Sequence, residues 1–336
     1  MKAIIQTKYG TCEVLELRDV AQPTISDDEV LVRVRAASVH ADVWHVMSGR
    51  PYAMRLFGSG LFTPKKRIPG TDLAGVVEAV GKHVSELRPG DAVFGECIDG
   101  IQWANGGAFA EYAAVRASLL AIKPSMLSFE QAAAVPTSGY IALHNLQMAG
   151  KIKPGQRVLV NGAAGGVGAL TLQLAKAFGA EVTAVDSAPK LDFLHRLGAD
   201  HVIDYAAEDL TRAAARYDLI VDVASNLALS ACKRVLSPGG SYIRIGHDHY
   251  GKVGGRVLGS LPATFGLMFR SLFDRTLPRP DFSMPSRKET MAVLKSLLEA
   301  GKLTPVIDRV FSLAEAREAM RHLQRGTGLG KIILAP

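Results

Sequence analysis

Cysteine is scarce in this sequence. The three cysteines, Cys12, Cys97 and Cys232, lie far apart in the chain, and none belongs to a CxxC pair. An odd number of widely separated cysteines is a poor basis for a disulfide framework. The pattern fits a reducing compartment, and we predict a cytoplasmic protein.

Long apolar runs are also missing. No stretch approaches the roughly 18–20 apolar residues that span a bilayer, so we expect no membrane span. Residues 1–10 lack the apolar centre of a signal peptide and are interpreted as a first strand. The nearest candidate, Val257 to Phe269, is short and contains Pro262. We interpret the surrounding stretch, Gly251 to Pro280, as a lid or a contact between subunits rather than as a membrane-surface segment.

Basic residues are not gathered into long runs. The formal charge is +7, and the longest basic run is Lys65-Lys66-Arg67. We therefore expect the excess charge to be spread over the chain, which gives no reason to expect nucleic acid as a partner. The 336 residues are 48% hydrophobic and 21% charged, which is typical of a globular enzyme with two domains.

The chain has two kinds of pattern. Up to about residue 125, short strands alternate with turns: Val30 to Arg35 has the alternation of a half-buried strand, and Arg88-Pro89-Gly90-Asp91 is a turn. These features predict a compact β-barrel-like domain. From about Lys153 onward, predicted strands and helices take turns, and this order predicts an α/β domain with a doubly wound parallel sheet and helices on both faces.

A glycine-rich stretch follows the first strand of the α/β part. It reads Asn161-Gly162-Ala163-Ala164-Gly165-Gly166-Val167-Gly168 and opens a helix. Small residues there allow a tight turn, and backbone N–H groups at the helix start can bind a pyrophosphate. Ala163 departs from the GxGxxG pattern, but a second strand ends at Asp186, where a ribose ligand belongs. The sequence predicts a dinucleotide site that includes Gly165, Gly166 and Val167; the alternative is a tight turn that binds nothing.

The identity of the dinucleotide is open at this stage. Asp186 can accept hydrogen bonds from a ribose diol, which favours NAD(H), and its charge should repel a 2′-phosphate. Ser187, Lys190 and Tyr205 could instead surround such a phosphate. We favour NADPH slightly over NADH.

Several further motifs carry a family resemblance. They are Pro69–Gly75, Pro89–Gly95, Gly107–Tyr112, Leu197–Tyr205, Gly301–Asp308 and Gly330–Ile333. With the glycine-rich stretch, they resemble the medium-chain dehydrogenase/reductase superfamily, in its zinc-free quinone-oxidoreductase branch, over nearly the whole chain. The resemblance implies a GroES-like substrate domain at 1–125, completed by 286–336, around a Rossmann domain at 126–285. It also implies a homodimer.

The resemblance bears on metal binding as well. Zinc-dependent relatives bind their catalytic metal through residues that match His40, Thr71 and Thr137 here, and threonine is a poor zinc ligand. The cysteine-rich lobe of structural zinc is missing after Gly95. We therefore expect no metal; a makeshift site from His40, His45 and Asp72 is the less favoured alternative.

The residues that could act on a substrate lie mainly near His40. Relatives often have asparagine at this position, lining the nicotinamide pocket, and histidine can donate a hydrogen bond or a proton. Trp44 and Tyr52 could form the walls of an aromatic slot, or simply pack in the core. Thr137 matches a position that touches nicotinamide in relatives. Gly246 and His247 follow the predicted fifth strand, so they could approach the cofactor.

These observations predict an NAD(P)H-dependent oxidoreductase that transfers hydride to a quinone or an α,β-unsaturated carbonyl compound. One alternative is an alcohol dehydrogenase or aldehyde reductase, although nothing replaces zinc as the Lewis acid. A second alternative, from another class, is a nucleotide-binding sensor that keeps the fold without turnover.

Overall fold

The fold is described from a computed structural model that covers residues 1–98, 106–150, 152–210, 215–246, 249–252, 254–279 and 286–336. The strands of the first 125 residues are β1 (Lys2–Ile5), β2 (Glu16–Asp19), β3 (Glu29–Val39), β4 (Asp72–Val80), β5 (Ala92–Glu96), β6 (Tyr112–Arg116) and β7 (Leu120–Ile122). The later strands are β8 (Arg157–Asn161), β9 (Glu181–Asp186), β10 (His201–Asp204), β11 (Tyr217–Asp222), β12 (Leu236–Arg244), β13 (Ile307–Ser312) and β14 (Lys331–Ala335).

The helices lie mainly in the second half of the chain. They are α1 (Ala41–Ser48), α2 (Phe129–Ala133), α3 (Pro136–Met148), α4 (Gly166–Ala177), α5 (Leu191–Arg196), α6 (Leu229–Val235), α7 (Leu261–Ser271), α8 (Arg287–Glu299) and α9 (Ala316–Arg325). Helix α2 begins with a capping box, in which Ser128 and Gln131 bond each other's backbone N–H groups. In the part of the chain that the structure describes, no helix is both long enough and apolar enough to cross a bilayer.

A seven-stranded sheet forms the β-rich part. Its order is β13-β14-β3-β4-β5-β7, and β6 also pairs with β3. The two C-terminal strands join it because β14 runs antiparallel to β3, with Ile333 opposite Ser38. The two ends of the chain therefore build one sheet.

A five-stranded sheet with the order β10-β9-β8-β11-β12 forms the second unit, and its recorded pairings are parallel. The central run Val158-Leu159-Val160 is fully buried because both faces of this sheet are covered. Val158 and Val160 face the core shared with α3, α4 and α8, and Leu159 faces the core shared with α6. The predicted fold class, a doubly wound parallel sheet beside a β-rich domain, is confirmed.

The strand order indicates where a ligand can bind on the five-stranded sheet. Strands β9 and β10 lie on one side of β8, and β11 and β12 lie on the other. In such sheets the chain changes direction at the first strand, and a crevice opens beyond the carboxyl ends of the two strands that meet there. Here these ends are Asn161 of β8 and Asp222 of β11.

Candidate functional site

A cleft of about 510 Å³ opens at this crevice, a size typical of ligand sites. One wall comes from the α/β unit and the other from α1 and β14 of the β-rich unit. Eight of the residues predicted from the sequence line it: His40, Gly165, Gly166, Val167, Asp186, Lys190, Tyr205 and Gly246. Trp44, Tyr52, Thr137 and Ser187 are not among the residues that line it, and His247 lies outside the described residues.

The glycine-rich loop turns sharply between β8 and α4. Gly162 has φ of +77°, and its N–H donates to the carbonyl of Val185 at 3.0 Å. A Cβ at Gly168 would lie 2.1 Å from the carbonyl oxygen of Gly162, so only glycine allows the helix to pack this closely on the loop. The N-terminus of α4, at Gly165 and Gly166, consequently opens into the cleft with N–H groups available for an anion.

Asp186 is engaged within the protein. One carboxylate oxygen accepts the N–H of Ala164 at 3.0 Å, and the other accepts the N–H of Ser187 at 2.9 Å. The ammonium group of Lys190 lies 3.3 Å from the second oxygen. Asp186 thus ties the glycine-rich loop to the end of β9, and Lys190 balances its charge. Tyr205 stands beside this pair, 58% exposed.

His40 lies on the wall formed by the β-rich unit, next to the carboxylate of Asp42. It caps α1, is 7% exposed, and its Nδ1 lies 3.2 Å from a carboxylate oxygen of Asp42. The backbone N–H of Asp42 approaches the same nitrogen at 3.3 Å. Both contacts are made by Nδ1, so they fix the orientation of the ring. Among the described residues no contact of Nε2 is recorded, and Nε2 carries the N–H when Nδ1 accepts the hydrogen bond from the Asp42 N–H.

Lys331 adds a buried ammonium group to the cleft. Its side chain is 5% exposed and passes Gly166, where a Cβ would lie 2.5 Å from the Lys331 Cδ. Its Nζ lies 3.5 Å from the Asp72 carboxylate and makes no hydrogen bond within the described part of the chain. Burial lowers the pKa of Lys331, while the charges of Asp72 and Asp42 act in the opposite direction.

A buried polar cluster lies behind Lys331. Asp72 accepts hydrogen bonds from the hydroxyls of Ser38, at 2.7 Å, and Thr137, which also contacts Glu96 at 2.8 Å. Arg287 donates to both Glu96 oxygens at 2.8 Å. Burial raises the pKa of Glu96 to about 7; Arg287 opposes this shift and the charge of Asp72 adds to it.

The cluster explains the place of Thr137. A threonine hydroxyl has one proton, yet this one contacts two carboxyl groups. A proton on Glu96 satisfies both contacts, because Glu96 can then donate to Thr137 while Thr137 donates to Asp72. The raised pKa of Glu96 agrees with this arrangement. Thr137 is 1% exposed and holds the cluster together behind the cleft wall.

The predicted aromatic residues Trp44 and Tyr52 pack against different neighbours. Trp44 is 6% exposed and packs edge-on against His45 and Tyr250. Tyr52 is 36% exposed and stacks with the Arg55 guanidinium, whose carbon lies 4.4 Å from the ring centroid. Tyr250, on the other hand, lines the cleft, and burial together with the charge of Asp42 raises its pKa to about 12.

The donor set does not suit zinc. Among the described residues, no group of three or more His, Cys, Asp or Glu side chains is arranged to hold a metal. Of the two threonines at ligand positions, Thr137 is bonded to carboxyl groups, and Thr71 is 2% exposed. Neither offers the thiolate, imidazole or carboxylate that a catalytic zinc requires.

Among the lining residues that were not predicted as site residues, four are polar and bear on the chemistry: Asp42, Asn161, Tyr250 and Lys331. Lys331 could have been noticed from the sequence, because a lysine at the start of the apolar run Ile332-Ile333-Leu334 is a candidate for a buried charge. Asp42, two residues after His40, could have been noticed as its partner. Tyr250 left no signal, since its place depends on the path of the chain beyond β12.

The fold and the site define a class of protein: a Rossmann-type dinucleotide-binding unit whose cleft faces a second, β-rich unit. Comparison with known protein families supports this class. Residues 26–125 match the alcohol dehydrogenase GroES-like domain family, and residues 197–334 match the zinc-binding dehydrogenase family.

Relatives that match the whole length of this chain indicate which branch of the class it belongs to. The chain is 34% identical to the 2-methylene-furan-3-one reductase of Solanum lycopersicum, covering 100% of this chain and 79% of the relative. It is 31% identical to the chloroplastic NADPH-dependent alkenal/one oxidoreductase of Arabidopsis thaliana, covering 100% and 80%. The solved quinone oxidoreductase of Coxiella burnetii has a TM-score of 0.83 and 28% identity, covering 100% of this chain and 99% of that one.

The chain therefore belongs to the medium-chain dehydrogenase/reductase superfamily, in its quinone-oxidoreductase-like branch. It is an oxidoreductase that uses a nicotinamide cofactor, as the glycine-rich stretch predicted.

Proposed function

We propose that this protein transfers hydride from NADPH to a quinone or an α,β-unsaturated carbonyl compound, without a metal ion. The observation that carries the proposal is the cleft itself. On one side lies the N-terminus of α4, suited to a diphosphate, and on the other lie His40 and Lys331, suited to an electronegative oxygen. The names of the tomato and Arabidopsis relatives support this substrate class.

The cofactor would bind along the α/β wall. Its diphosphate fits the N–H groups at Gly166 and Val167, and Gly165 beside them lines the cleft. The bound nicotinamide supplies the hydride. Asn161 and Gly246, at the ends of β8 and β12, would hold the cofactor against the sheet. A Cβ at Gly246 would lie 2.3 Å from the carbonyl of Val223, so glycine is needed there.

Preference for NADPH is supported by the state of Asp186. Each of its oxygens already accepts a backbone N–H group, and one also faces Lys190, so the carboxylate has less acceptor capacity left for a ribose diol than in NAD-specific sites. Its charge is balanced by Lys190, which lessens repulsion of a 2′-phosphate. Lys190 and Tyr205, with Ser187 nearby, then supply the polar groups for that phosphate.

The opposite wall would stabilise the reduced substrate. When hydride reaches the carbon end of an enone, negative charge develops on its oxygen, and a nearby donor lowers the barrier. His40, oriented by Asp42, is placed to donate through its free ring nitrogen. The Lys331 ammonium group contributes positive charge in a buried setting, where electrostatic interactions are strong. Trp44 packs against His45, which lines this wall, and Tyr52 is not among the lining residues.

An alcohol dehydrogenase activity is less well supported. Alkoxide oxidation needs a strong Lewis acid, and the residues at the zinc-ligand positions include two threonines.

The proposal includes the domain bounds, the oligomeric state and the location that the sequence predicted. The substrate domain comprises residues 1–125 and 286–336, and the Rossmann domain comprises residues 126–285. The protein is a homodimer in the cytoplasm.

The test is steady-state turnover with NADPH and NADH over a panel of quinones, enones and simple aldehydes. We expect turnover of quinones or enones, slow or no turnover of unconjugated aldehydes, and higher kcat/KM with NADPH. Turnover of aldehydes and alcohols alone would overturn the proposal. Tight NADPH binding without any turnover would favour a nucleotide sensor instead.

A further inference from the structure

Two segments of the chain have a large excess of positive charge. Residues 50–67 and 247–285 contain ten of the 39 Lys and Arg residues and three of the 32 Asp and Glu residues. Their net charge is +7, and the charges of all other residues sum to zero.

The second segment also exposes a large apolar surface. Helix α7 and the turn after it present Phe265, Phe269, Leu272 and Phe273 at helical spacing, with exposed fractions from 58% to 79%. The rings of Phe269 and Phe273 pack edge-to-face with centroids 5.6 Å apart. Val257 and Leu258, ahead of α7, are 59% and 51% exposed. An apolar group of this size on a protein surface marks a site of interaction.

The first segment joins this surface. The backbone N–H groups of Tyr52 and Ala53 donate to the carbonyls of Arg256 and Val257, at 3.0 and 2.9 Å. Beyond this junction the first segment exposes Leu56, Leu61 and Phe62, at 71%, 50% and 83%. We call the exposed apolar side chains of the two segments, with the basic residues between them, the basic apolar surface.

Basic residues accompany the apolar ones throughout. Lys252, Arg256, Arg270 and Arg275 are exposed around α7. Asp274, the acidic residue of this segment that the structure describes, lies 2.5 Å from the Lys233 ammonium group, so its charge is already paired. An amphipathic helix with aromatic residues on one side and cations beside them is the arrangement that binds in the headgroup region of an anionic bilayer.

We propose that the basic apolar surface docks this protein on an anionic lipid membrane. A second copy of the chain fits less well, because pairing this surface with itself would bring two positive charge excesses together. The side chains of α7 would enter the headgroup boundary, and the arginines would contact lipid phosphates. Membrane docking differs from the role that the sequence predicted for Gly251 to Pro280, which was a lid or a contact between subunits.

The position of the surface relates it to catalysis. Its second segment starts beside the cleft, where Tyr250 forms part of the lining and packs on Trp44. Trp44, Arg50, Pro51, Gly251 and Arg256 surround a smaller cavity between the two segments. Docking would hold the cleft close to the bilayer, so that an apolar quinone or enone dissolved in lipid reaches it. This last step rests on the proposed function, whereas docking itself does not.

Vesicle sedimentation tests the docking. The full-length protein should sediment with vesicles of mixed phosphatidylserine and phosphatidylcholine, remain in solution with phosphatidylcholine alone, and dissociate as salt is raised. Arg270→Gln should weaken binding about fivefold, and Phe269→Asp with Phe273→Asp should weaken it by roughly tenfold or more. Met126→Asp is the matched control, because Met126 is 58% exposed outside both segments.

The outcomes separate docking from activity. Reduction of a water-soluble enone without vesicles should be the same in wild type and in the Phe269/Phe273 variant. Failure of wild-type protein to bind the anionic vesicles would overturn docking, as would binding that the double variant leaves unchanged. A dimer that the double variant dissociates, seen by analytical ultracentrifugation without vesicle binding, would assign the surface to a second copy instead. Absence of all reductase turnover would overturn the proposed function alone.

Discussion

The ammonium nitrogen of Lys331 lies 3.5 Å from a carboxylate oxygen of Asp72, and both side chains are buried. The pair joins the start of β14 to the start of β4, so it connects the C-terminal strand with the N-terminal part of the sheet. Lys331 also packs on Gly166 at the start of α4. Lys331 therefore contributes to the contact between the two units at the cleft, next to the hydrogen bond that the N–H of Gly330 donates to the carbonyl of Ala164 at 2.7 Å.

Removing one partner of this pair should destabilise the fold. Lys331→Met keeps the apolar stem and leaves Asp72 as a buried carboxylate without its cation, which costs about 3 kcal/mol of unfolding free energy. Chemical denaturation measures this change. Adding Asp72→Asn to Lys331→Met should recover part of the loss; a double variant that is less stable than the single one by the full effect of Asp72→Asn would contradict the pairing.

His40 should affect the chemical step more than cofactor binding. His40→Ala removes a donor from the cleft wall, and we expect kcat to fall by about a hundredfold while NADPH affinity stays nearly unchanged. His40→Asn keeps a hydrogen-bond donor and should retain part of the activity. Stopped-flow hydride transfer and NADPH fluorescence titration check these two quantities. An unchanged rate in His40→Ala would exclude His40 from the reaction.

Glu96 should make stability depend on pH. Its pKa is about 7 in the folded protein, above the ordinary value of 4.5, so the folded state holds this proton more tightly than the unfolded state. The contribution of Glu96 to stability is therefore full below about pH 4.5, declines as pH rises, and is lost above pH 7. Glu96→Gln cannot titrate and should remove this part of the slope.

The expected size of the Glu96 effect is on the order of 2–3 kcal/mol between pH 5 and pH 8. Denaturant unfolding of wild type and Glu96→Gln at both pH values gives the difference. Parallel pH profiles for the two proteins would show that Glu96 ionises normally and that the proton shared through Thr137 is absent.

Gly168 should be irreplaceable at the glycine-rich loop. In Gly168→Ala the new methyl would lie 2.1 Å from the Gly162 carbonyl oxygen, so α4 must move away from the loop. We expect NADPH affinity to fall by about tenfold or more, as measured by calorimetry. Gly266→Ala is the matched control, since Gly266 is also helical and has open space around it. Equal affinities in both variants would argue against this packing role.

Lys190 should decide between the two coenzymes. Lys190→Ala removes the cation beside Asp186, so kcat/KM with NADPH should drop by about tenfold or more while kcat/KM with NADH changes little. The ratio of the two values is the measurement. A drop of the same size with both coenzymes would show that Lys190 supports the loop rather than recognising a 2′-phosphate.

Local patterns in the sequence predicted most of the fold. The alternation at Val30 to Arg35 indicated a half-buried strand, which lies within β3, and the order of strands and helices after Lys153 indicated the parallel sheet. The glycine-rich stretch identified the loop because its chemistry is local: a tight turn and a helix N-terminus. The order of the strands was not predicted, since no short pattern encodes which strands pair.

The opposite wall of the cleft was harder to predict. Lys331 lies 259 positions after Asp72 in the chain, and only the path of β14 beside β3 brings them together. The carboxylate of Asp186 was expected to point toward the ribose, whereas it is bonded to Ala164. The charge of the two basic segments was overlooked because short runs were counted instead of longer stretches.

The most direct test of metal-free hydride transfer combines metal analysis with turnover. Protein treated with a chelator and shown by mass spectrometry to contain far less than one zinc per chain should oxidise NADPH with a quinone or an enone at the same rate as untreated protein. Loss of turnover on chelation, restored by added zinc, would contradict the account.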